Sequence, residues 1–590
     1  MASQVNDSQV ESSSPSLTAT GKQAGDIVPA NNTGDETSCR PTNQDLKELV
    51  HVADNVPYPV WLVILVGSAE RFVFYGASTC LQNYLQNSPN DLIPGVLGIG
   101  QSDATAVNYA FMVLVNFAPV PLAVVADGWL GRYKLILLST VIYLVGSLIL
   151  FTTALPSALH QAGVSAAGLG VSLVLIALGI GGVKASIYPF IADQYPHHEP
   201  FIRELPSRER VVVDRSLTIQ YMYNWYFWCV RKPYLHDSRY TSRKAKNGYS
   251  FRFINVASLS GIATTFMEKY SSFWSAFLLC FCFLWVGLVL MLVFKNKYYK
   301  APPAGSVVPK VLRVIWLGIR GGMSLNAAQP AVQQEKYGRQ VPWDDEFLKG
   351  VRDALIACQI WWVPNLQPIL RKLTFPSLAF PIVWLCWGQT YNNLISQAGQ
   401  METYGIPNDV MPNFNPIACI IAGPLIQQCL FPFLNRRKIP FRPIARISVG
   451  FFLMGASLAW ATGLQAFIYR AGPCPDYPLA CPDSKNGAIP QHINVFLQVP
   501  CYVLMAIGEI FCVTTGSEFC YSQAPRSMKS IVQALFVGTA SISYALGIAI
   551  SPAAKDPNMT IFYGCLTGVQ LAITAGFWLM FRKLDKDIIV

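Results

Sequence analysis

The chain is built from apolar runs of about twenty residues, the length that crosses ~30 Å of hydrocarbon at about 1.5 Å of rise per residue. From Leu135 to Ala154, for example, no residue is charged. A helix of that length in a soluble core would carry a charged face. Only 13% of the 590 residues are charged, roughly half the fraction usual in a soluble domain. The chain is therefore expected to be an integral, multi-pass membrane protein solvated by the lipid bilayer. The net charge of +11 does not call for a nucleic-acid partner, because the basic residues sit in alternate loops, as the positive-inside rule requires.

Candidate spans fall at 57–84, 105–126, 134–154, 167–192, a broken fifth segment 218–228 with 253–266, then 273–294, 376–397, 414–434, 443–466, 492–516, 530–550 and 559–581. That pattern reads as an all-α membrane protein of about twelve transmembrane helices. Between Cys80 and Ala104 there is no Lys or Arg, whereas Arg132/Lys134, Lys295/Lys297/Lys300, Arg436/Arg437/Lys438 and Arg582/Lys583 follow spans 2, 6, 8 and 12. The even number of spans and this alternation place both termini in the cytoplasm. Residues 1–55 read as a disordered polar tail without the basic start and apolar core of a cleavable signal. Residues 56–294 form one six-helix bundle and 376–582 a second, with a short tail at 583–590. The connector, 295–375, holds an amphipathic stretch around Asp344–Leu370 expected to lie along the membrane surface. Two six-helix bundles match the duplicated architecture of many secondary transporters.

Most of the 15 cysteines lie inside apolar runs, where cysteine acts as a small hydrophobe. Cys474 and Cys481, in GPCPDYPLACPDS between spans 9 and 10, face the oxidising side. They could pair if the prolines bring their Cα atoms within ~7 Å. The alternative is two free thiols.

Ionisable groups deep in a span are costly and mark function. In span 1, AERFVFYG places Glu70 and Arg71 ~18 Å into the membrane, too deep for either to snorkel. Adjacent helical residues point about 100° apart, so the two are expected to need other partners or a wet cavity. Tyr75 follows four residues after Arg71 on the same face, and a carboxylate ligand between them would be satisfied by charge-assisted bonds. The structural alternative is an internal ion pair. In span 4, GIGGVKASIYPFIADQY carries Lys184 at mid-depth, with Gly179, Gly181 and Gly182 allowing close helix approach. A buried lysine can bind a carboxylate or respond to a proton.

Span 10 places Glu509 well inside, a candidate for a substrate ammonium or a transported proton. Glu518, near the cytoplasmic end, reads as a gate or ion-pair member with Arg526 or Lys529. Spans 7 and 8 add Trp384, Trp387, Gln389, Tyr391 and Asn415 as uncharged pocket candidates, with packing or interfacial belts as the alternative for the aromatics. Cations in the first bundle and an anion in the second suit a zwitterion, which a rocking motion could expose to either side. No metal cluster, nucleophile triad or nucleotide-binding loop is present, so no metal, cofactor or enzyme activity is expected.

These segments carry a pattern. AERFVFYG resembles the ExxERFxYYG signature of the proton-dependent oligopeptide transporter family. ADGWLGRYK, with Asp127 and Arg132, resembles the D-x-x-x-G-R/K loop of the major facilitator superfamily. GGVKASIYPFIADQY is similar to the family's span 4, and TGSEFCYSQAPRSMKS is similar to span 10 of its fungal branch. From about Pro57 onward the chain is identified as a member. The resemblance implies the major facilitator fold and alternating access. It implies a proton gradient, with no cofactor, driving uptake of di- and tripeptides by a monomer in the plasma membrane. In the family the span 1 Arg and span 4 Lys contact the peptide carboxylate, and the span 10 Glu contacts its amino end. Those roles fall on Arg71, Lys184 and Glu509, with the aromatic at Tyr75. Glu70, Lys184 and Glu509 are the proton-coupling candidates, and Asp127 and Arg132 are gating or structural.

Two departures stand out. The first glutamate of ExxER is replaced by Gly67, so proton coupling is expected to be altered, weakened or moved to Glu509. The span 5 motif F-Y-x-x-I-N-x-G-S is split: Tyr226-Phe227-Trp228 and Phe253-Ile254-Asn255 flank the basic stretch 229–252. Removing that stretch joins YFWFINVAS in register. Each charge left at a helix centre costs ~2.5–3.5 kcal/mol, so 229–252 must loop out or span 5 fails. It reads as an unremoved intron, against a genuine insert. The leading function is proton-coupled transport of di- and tripeptides. The alternatives are a carrier of another small anion or zwitterion, such as nitrate or a secondary metabolite, a peptide-sensing receptor, and an inactive product.

Overall fold

The computed structural model describes residues 41–582 apart from 43, 46–48, 162, 198, 205–209, 216, 220, 223–252, 304, 322–323, 358–378, 438, 440, 486–488 and 524–528. The basic stretch 229–252, the amphipathic segment beyond 357, Arg526 and the tail at 583–590 lie outside the described residues.

Spans 3 and 4 show why the chain folds as it does. In span 3, Arg132–Thr153, the exposed residues Leu138, Val141, Val145 and Leu148 recur at helical spacing and are all apolar. The same helix buries Ser139, Thr140, Gly146 and Ser147. Leu135, Ile136, Tyr143, Leu144 and Leu150 are buried beside them, so the middle of the helix keeps its small and polar residues inward and shows only apolar ones outward, as expected where the solvent is lipid. Span 4, Val164–Asp193, packs against that inner face. A Cβ added at Gly179 would stand 2.5 Å from the Cβ of Tyr143 and 2.9 Å from the Ser139 carbonyl oxygen. Only glycine permits this approach.

Among the described residues nine helices are long and apolar enough to cross a membrane: Tyr58–Gln86, Gln101–Leu130, Arg132–Thr153, Val164–Asp193, Phe273–Val293, Asn408–Leu434, Pro443–Ile468, Val495–Phe519 and Met559–Phe581. They are spans 1–4, 6, 8–10 and 12. Span 5 is described as Phe253–Ser258 and Ser260–Ser271, and span 11 as Lys529–Ile550. Span 7 is interrupted: Ala379–Gly388 passes through the tight turn Gln389–Tyr391 into Asn393–Gly399. In the first bundle span 1 packs on spans 5 and 6, and span 3 on span 4. In the second, span 7 packs on span 11, span 8 on span 10, and span 9 on span 12. Spans 2 and 11 meet across the two bundles.

Two small sheets cap the helices. β1 (Val50–Val52) pairs in parallel with β3 (Arg210–Val213), which pairs antiparallel with β2 (Phe201–Glu204). Asp54 fixes this cap, accepting hydrogen bonds from Arg203 at 2.7 Å and from the Tyr195 hydroxyl at 3.0 Å. Residues 50–52 of the expected disordered tail, 1–55, are therefore ordered. Their partner strand is about 160 residues away, which local composition cannot show. β4 (Met401–Glu402) and β5 (Gln491–Asn494) join two loops at the opposite end, the outer end in the orientation expected from the loop charges. In the connector the helix Val308–Arg320 exposes Leu312, Trp316 and Ile319 along one stripe, a face suited to a membrane surface. The helix Asp345–Ala357 covers the described part of the amphipathic stretch expected there.

Candidate substrate site

The first wall of the site comes from spans 1 and 4. Arg71 pairs with its chain neighbour Glu70: Nε donates to one carboxylate oxygen at 2.6 Å and a terminal nitrogen donates to the other at 2.7 Å. This corrects the expectation that the two must look elsewhere. The Cβ directions do diverge, but the long arginine side chain folds back and presents two donors edge-on to both oxygens. The guanidinium also lies 5.0 Å from the centre of the Phe74 ring, a favourable cation–π placement. Tyr75 stands on the same face, its ring 6.3 Å from that of Tyr391 in the second bundle. Lys184 donates to the Asn116 side-chain oxygen of span 2 at 2.9 Å, and is within electrostatic reach of Arg71 and Glu70. Glu70, Arg71, Tyr75 and Lys184 are thus brought together.

The second wall comes from spans 7, 8 and 10. Glu509 accepts a hydrogen bond from the Trp387 indole at 3.1 Å, and Asn415 lies beside it. The Asn415 amide nitrogen is buried without a hydrogen-bond partner. Trp387 meets Trp384 edge-to-face and Tyr391 at a tilt, with ring centroids 6.0 and 5.2 Å away. Glu509 closes the helix Val499–Glu509, and the next turn, Ile510–Thr514, is a π-turn. Such one-residue bulges in membrane helices concentrate at functional sites. Tyr75 is within electrostatic reach of both Arg71 and Glu509 and so stands between the walls.

Gln389 does not line this space. It is fully buried; its amide donates to the Tyr109 hydroxyl at 2.7 Å and to the Leu385 carbonyl at 3.1 Å, while its oxygen accepts from Asn393 at 2.7 Å. Both ends of the amide are occupied, so the expected pocket role is not met in this conformation. Gln389 belongs instead to a polar seam between the bundles. Asn83 and Asn408 exchange hydrogen bonds at 3.0 and 3.2 Å. Asn393 accepts from Gln101 at 3.0 Å and from Thr105 at 3.1 Å. Ser396 donates to Gln86 at 2.9 Å, and Ser102 to the Ser551 carbonyl at 2.8 Å. The seam runs from mid-membrane to the outer end.

The remaining candidates lie away from the site. One terminal nitrogen of Arg132 donates to both carboxylate oxygens of Asp193 at 2.6 and 2.7 Å, and its Nε donates to Asp127 at 3.3 Å, tying the turn after span 2 to the end of span 4. Glu518 is exposed. Of its two expected partners, Arg526 and the side chain of Lys529, neither is among the described groups. Cys474 and Cys481 are joined by a disulfide with Cα atoms 5.6 Å apart. Sequence reasoning missed a buried group, Cys80, Glu268 and Asp409, whose ligand atoms lie within 4.8 Å of one another. Spacing gives no signal for residues so far apart in the chain.

Two six-helix bundles facing each other across a mid-membrane polar site define a transporter of the major facilitator type. The fold is shared with the POT family transporter PepTSo, whose crystal structure aligns with a TM-score of 0.64 at 18% identity, covering 91% of this chain and 100% of that one. The POT family profile matches residues 133–231 and 237–566. The peptide transporter PTR_C of Candidozyma auris is 39% identical over 548 residues, covering 92% of this chain and 87% of that protein. The peptide transporter PTR2 of Saccharomyces cerevisiae is 35% identical over 554 residues, with coverage of 93% and 83%. The chain belongs to the POT family, the proton-dependent oligopeptide transporters.

Proposed function

We propose that the chain is a secondary transporter that carries di- and tripeptides with protons by alternating access. The observation that carries this reading is the polarity of the site. Arg71 and Lys184 stand on one bundle and Glu509 on the other, which suits the carboxylate and ammonium ends of a short peptide. Tyr75 and Asn415 complete the two walls, and the names of the relatives point the same way. Lys184 and Glu509 are both half-buried and so are the groups placed to exchange protons, while Glu70 is held by Arg71. The outer seam is closed in this conformation, and transport requires it to part. The protein works as a monomer in the plasma membrane with both termini cytoplasmic, driven by the proton gradient without a cofactor.

The test is uptake of a labelled dipeptide into proteoliposomes with and without an inward acid gradient. Gradient-stimulated uptake that Arg71→Ala and Glu509→Gln abolish is expected. Binding without flux would refute transport. A second reading, a carrier of another small anion or zwitterion, draws support from Gly67, a buried position in span 1 with no titratable group. Flux of nitrate but not of peptide would favour it.

A further inference from the structure

One cluster of titratable groups outside the substrate site is built from both bundles at the outer end. Glu268 comes from span 5 and is 3% exposed; Asp409 comes from the turn Asn408–Asn413 at the start of span 8 and is 0% exposed. Glu268 accepts one hydrogen bond, from the Asn83 amide at 3.2 Å. Its second oxygen and both oxygens of Asp409 have no hydrogen-bond partner. Among the described residues no cation forms an ion pair with either carboxylate. Lys269, the next residue on span 5, acts on Asp409 only from a distance. The other titratable groups facing the pair are the Cys80 thiol of span 1 and, behind it, the Cys280 thiol of span 6.

Two carboxylates buried face to face without a cation cannot both be ionised. A single proton between them makes a charge-assisted O–H···O bond. It supplies the donor the unpaired oxygens lack and removes one of the two buried charges. We propose that Glu268 and Asp409 are a proton-binding latch, in which one proton shared between the two carboxyl groups holds the outer ends of the bundles together. When the bundles part, each carboxyl stays with its own bundle and meets water, both ionise, and the proton leaves to the outer solution. Closing takes one proton up again. Acid on the outer side therefore favours the closed outer end. This proton binds and leaves on the same side, so it sets the balance between conformations and is not the transported one.

The latch takes its meaning from the alternating-access reading, but its test needs no substrate. Hydrogen exchange is followed on the full chain in lipid nanodiscs, over segments 80–90 and 401–413, with the intrinsic pH dependence of exchange removed. In the wild type, opening should rise by up to about tenfold per pH unit between pH 5 and 8, the slope of one linked proton. Glu268→Gln replaces the shared proton with an amide N–H and should remain protected at every pH. Asp409→Asn is the second variant and should behave alike. A flat wild-type profile, or the wild-type slope retained in both variants, overturns the proposal. A thiol and two carboxylates also suit a divalent metal; opening induced by a chelator at constant pH would overturn it as well. If the slope is present and peptide flux absent, the transport reading falls and the latch stands. Flux without the slope gives the reverse.

Discussion

Glu70→Gln tests whether Arg71 is held in reserve for an anion. Two charge-assisted bonds of 2.6 and 2.7 Å join side chains only 5% and 11% exposed. Neutralising one partner of a buried pair costs about 3–5 kcal/mol, because the other charge is left uncompensated. Glutamine still accepts one bond from Arg71, so the low end, about 3 kcal/mol, applies. The unliganded protein bears that cost in full. A peptide carboxylate set against Arg71 recovers part of it, and recovering about 2 kcal/mol tightens binding by ~30-fold. The variant should melt earlier than wild type without ligand and bind a dipeptide more than about tenfold more tightly. The C-terminally amidated dipeptide, which lacks the carboxylate, should gain nothing. Calorimetric titration and thermal melts on purified protein read both quantities. Unchanged stability together with unchanged dipeptide affinity would refute the argument and remove Arg71 from the anion site.

Three further outcomes are expected. Gly182→Ala drives a methyl group into the Ser139 side chain; it should abolish monodisperse folded protein in size-exclusion profiles, and Ser139→Gly should restore it. Cys474→Ser opens a loop of about eight residues and should lower stability by about 2 kcal/mol on the loop-entropy account, read as an earlier melt that wild type matches under reductant. Asp556, in the loop before span 12, accepts hydrogen bonds from Tyr469 and from Gln400, yet burial holds its carboxyl above the usual value of 3.8. An acid shifted upward contributes stability fully below its unfolded value and loses it as pH rises through the folded value. Asp556→Asn should therefore gain stability over wild type between pH 4 and 7, seen in paired melts.

The spans were legible because lipid imposes length and composition on every helix, so runs such as 135–154 announce themselves. The glycines of span 4 were legible for a similar reason, since close helix approach leaves a local mark. The Glu70–Arg71 pair was not. Helical periodicity describes where Cβ atoms point, and says nothing of an arginine long enough to turn back on its neighbour. Gln389 reads as a pocket residue, and Asn83 gives no signal at all, because the groups they bond across the seam belong to the other bundle. Glu268 lies just past the expected end of span 5, at 266, where a charge carries no signal. Only the fold carries Asp409 to it, buried and, among the described residues, without a cation in an ion pair.

The make-up of the outer seam bears on how such a carrier can turn over. Its bonds join amides and hydroxyls: Asn83 with Asn408, Gln101 with Asn393, Gln389 with Tyr109, Ser396 with Gln86. Each contributes only about 0.5–1.5 kcal/mol net, because water replaces the partner when the bundles part. With the second Asn83–Asn408 bond, Thr105 to Asn393 and Ser102 to the Ser551 carbonyl, the seven bonds amount to about 4–10 kcal/mol, on the scale of the ~5.5 kcal/mol that carries a two-state equilibrium from one extreme to the other. Against a seam of that size, a single linked proton at about 1.4 kcal/mol per pH unit shifts the balance by a comparable amount only over several pH units. A chain with Gly67 in place of a carboxylate can therefore still be made sensitive to pH by two carboxyl groups at its outer end.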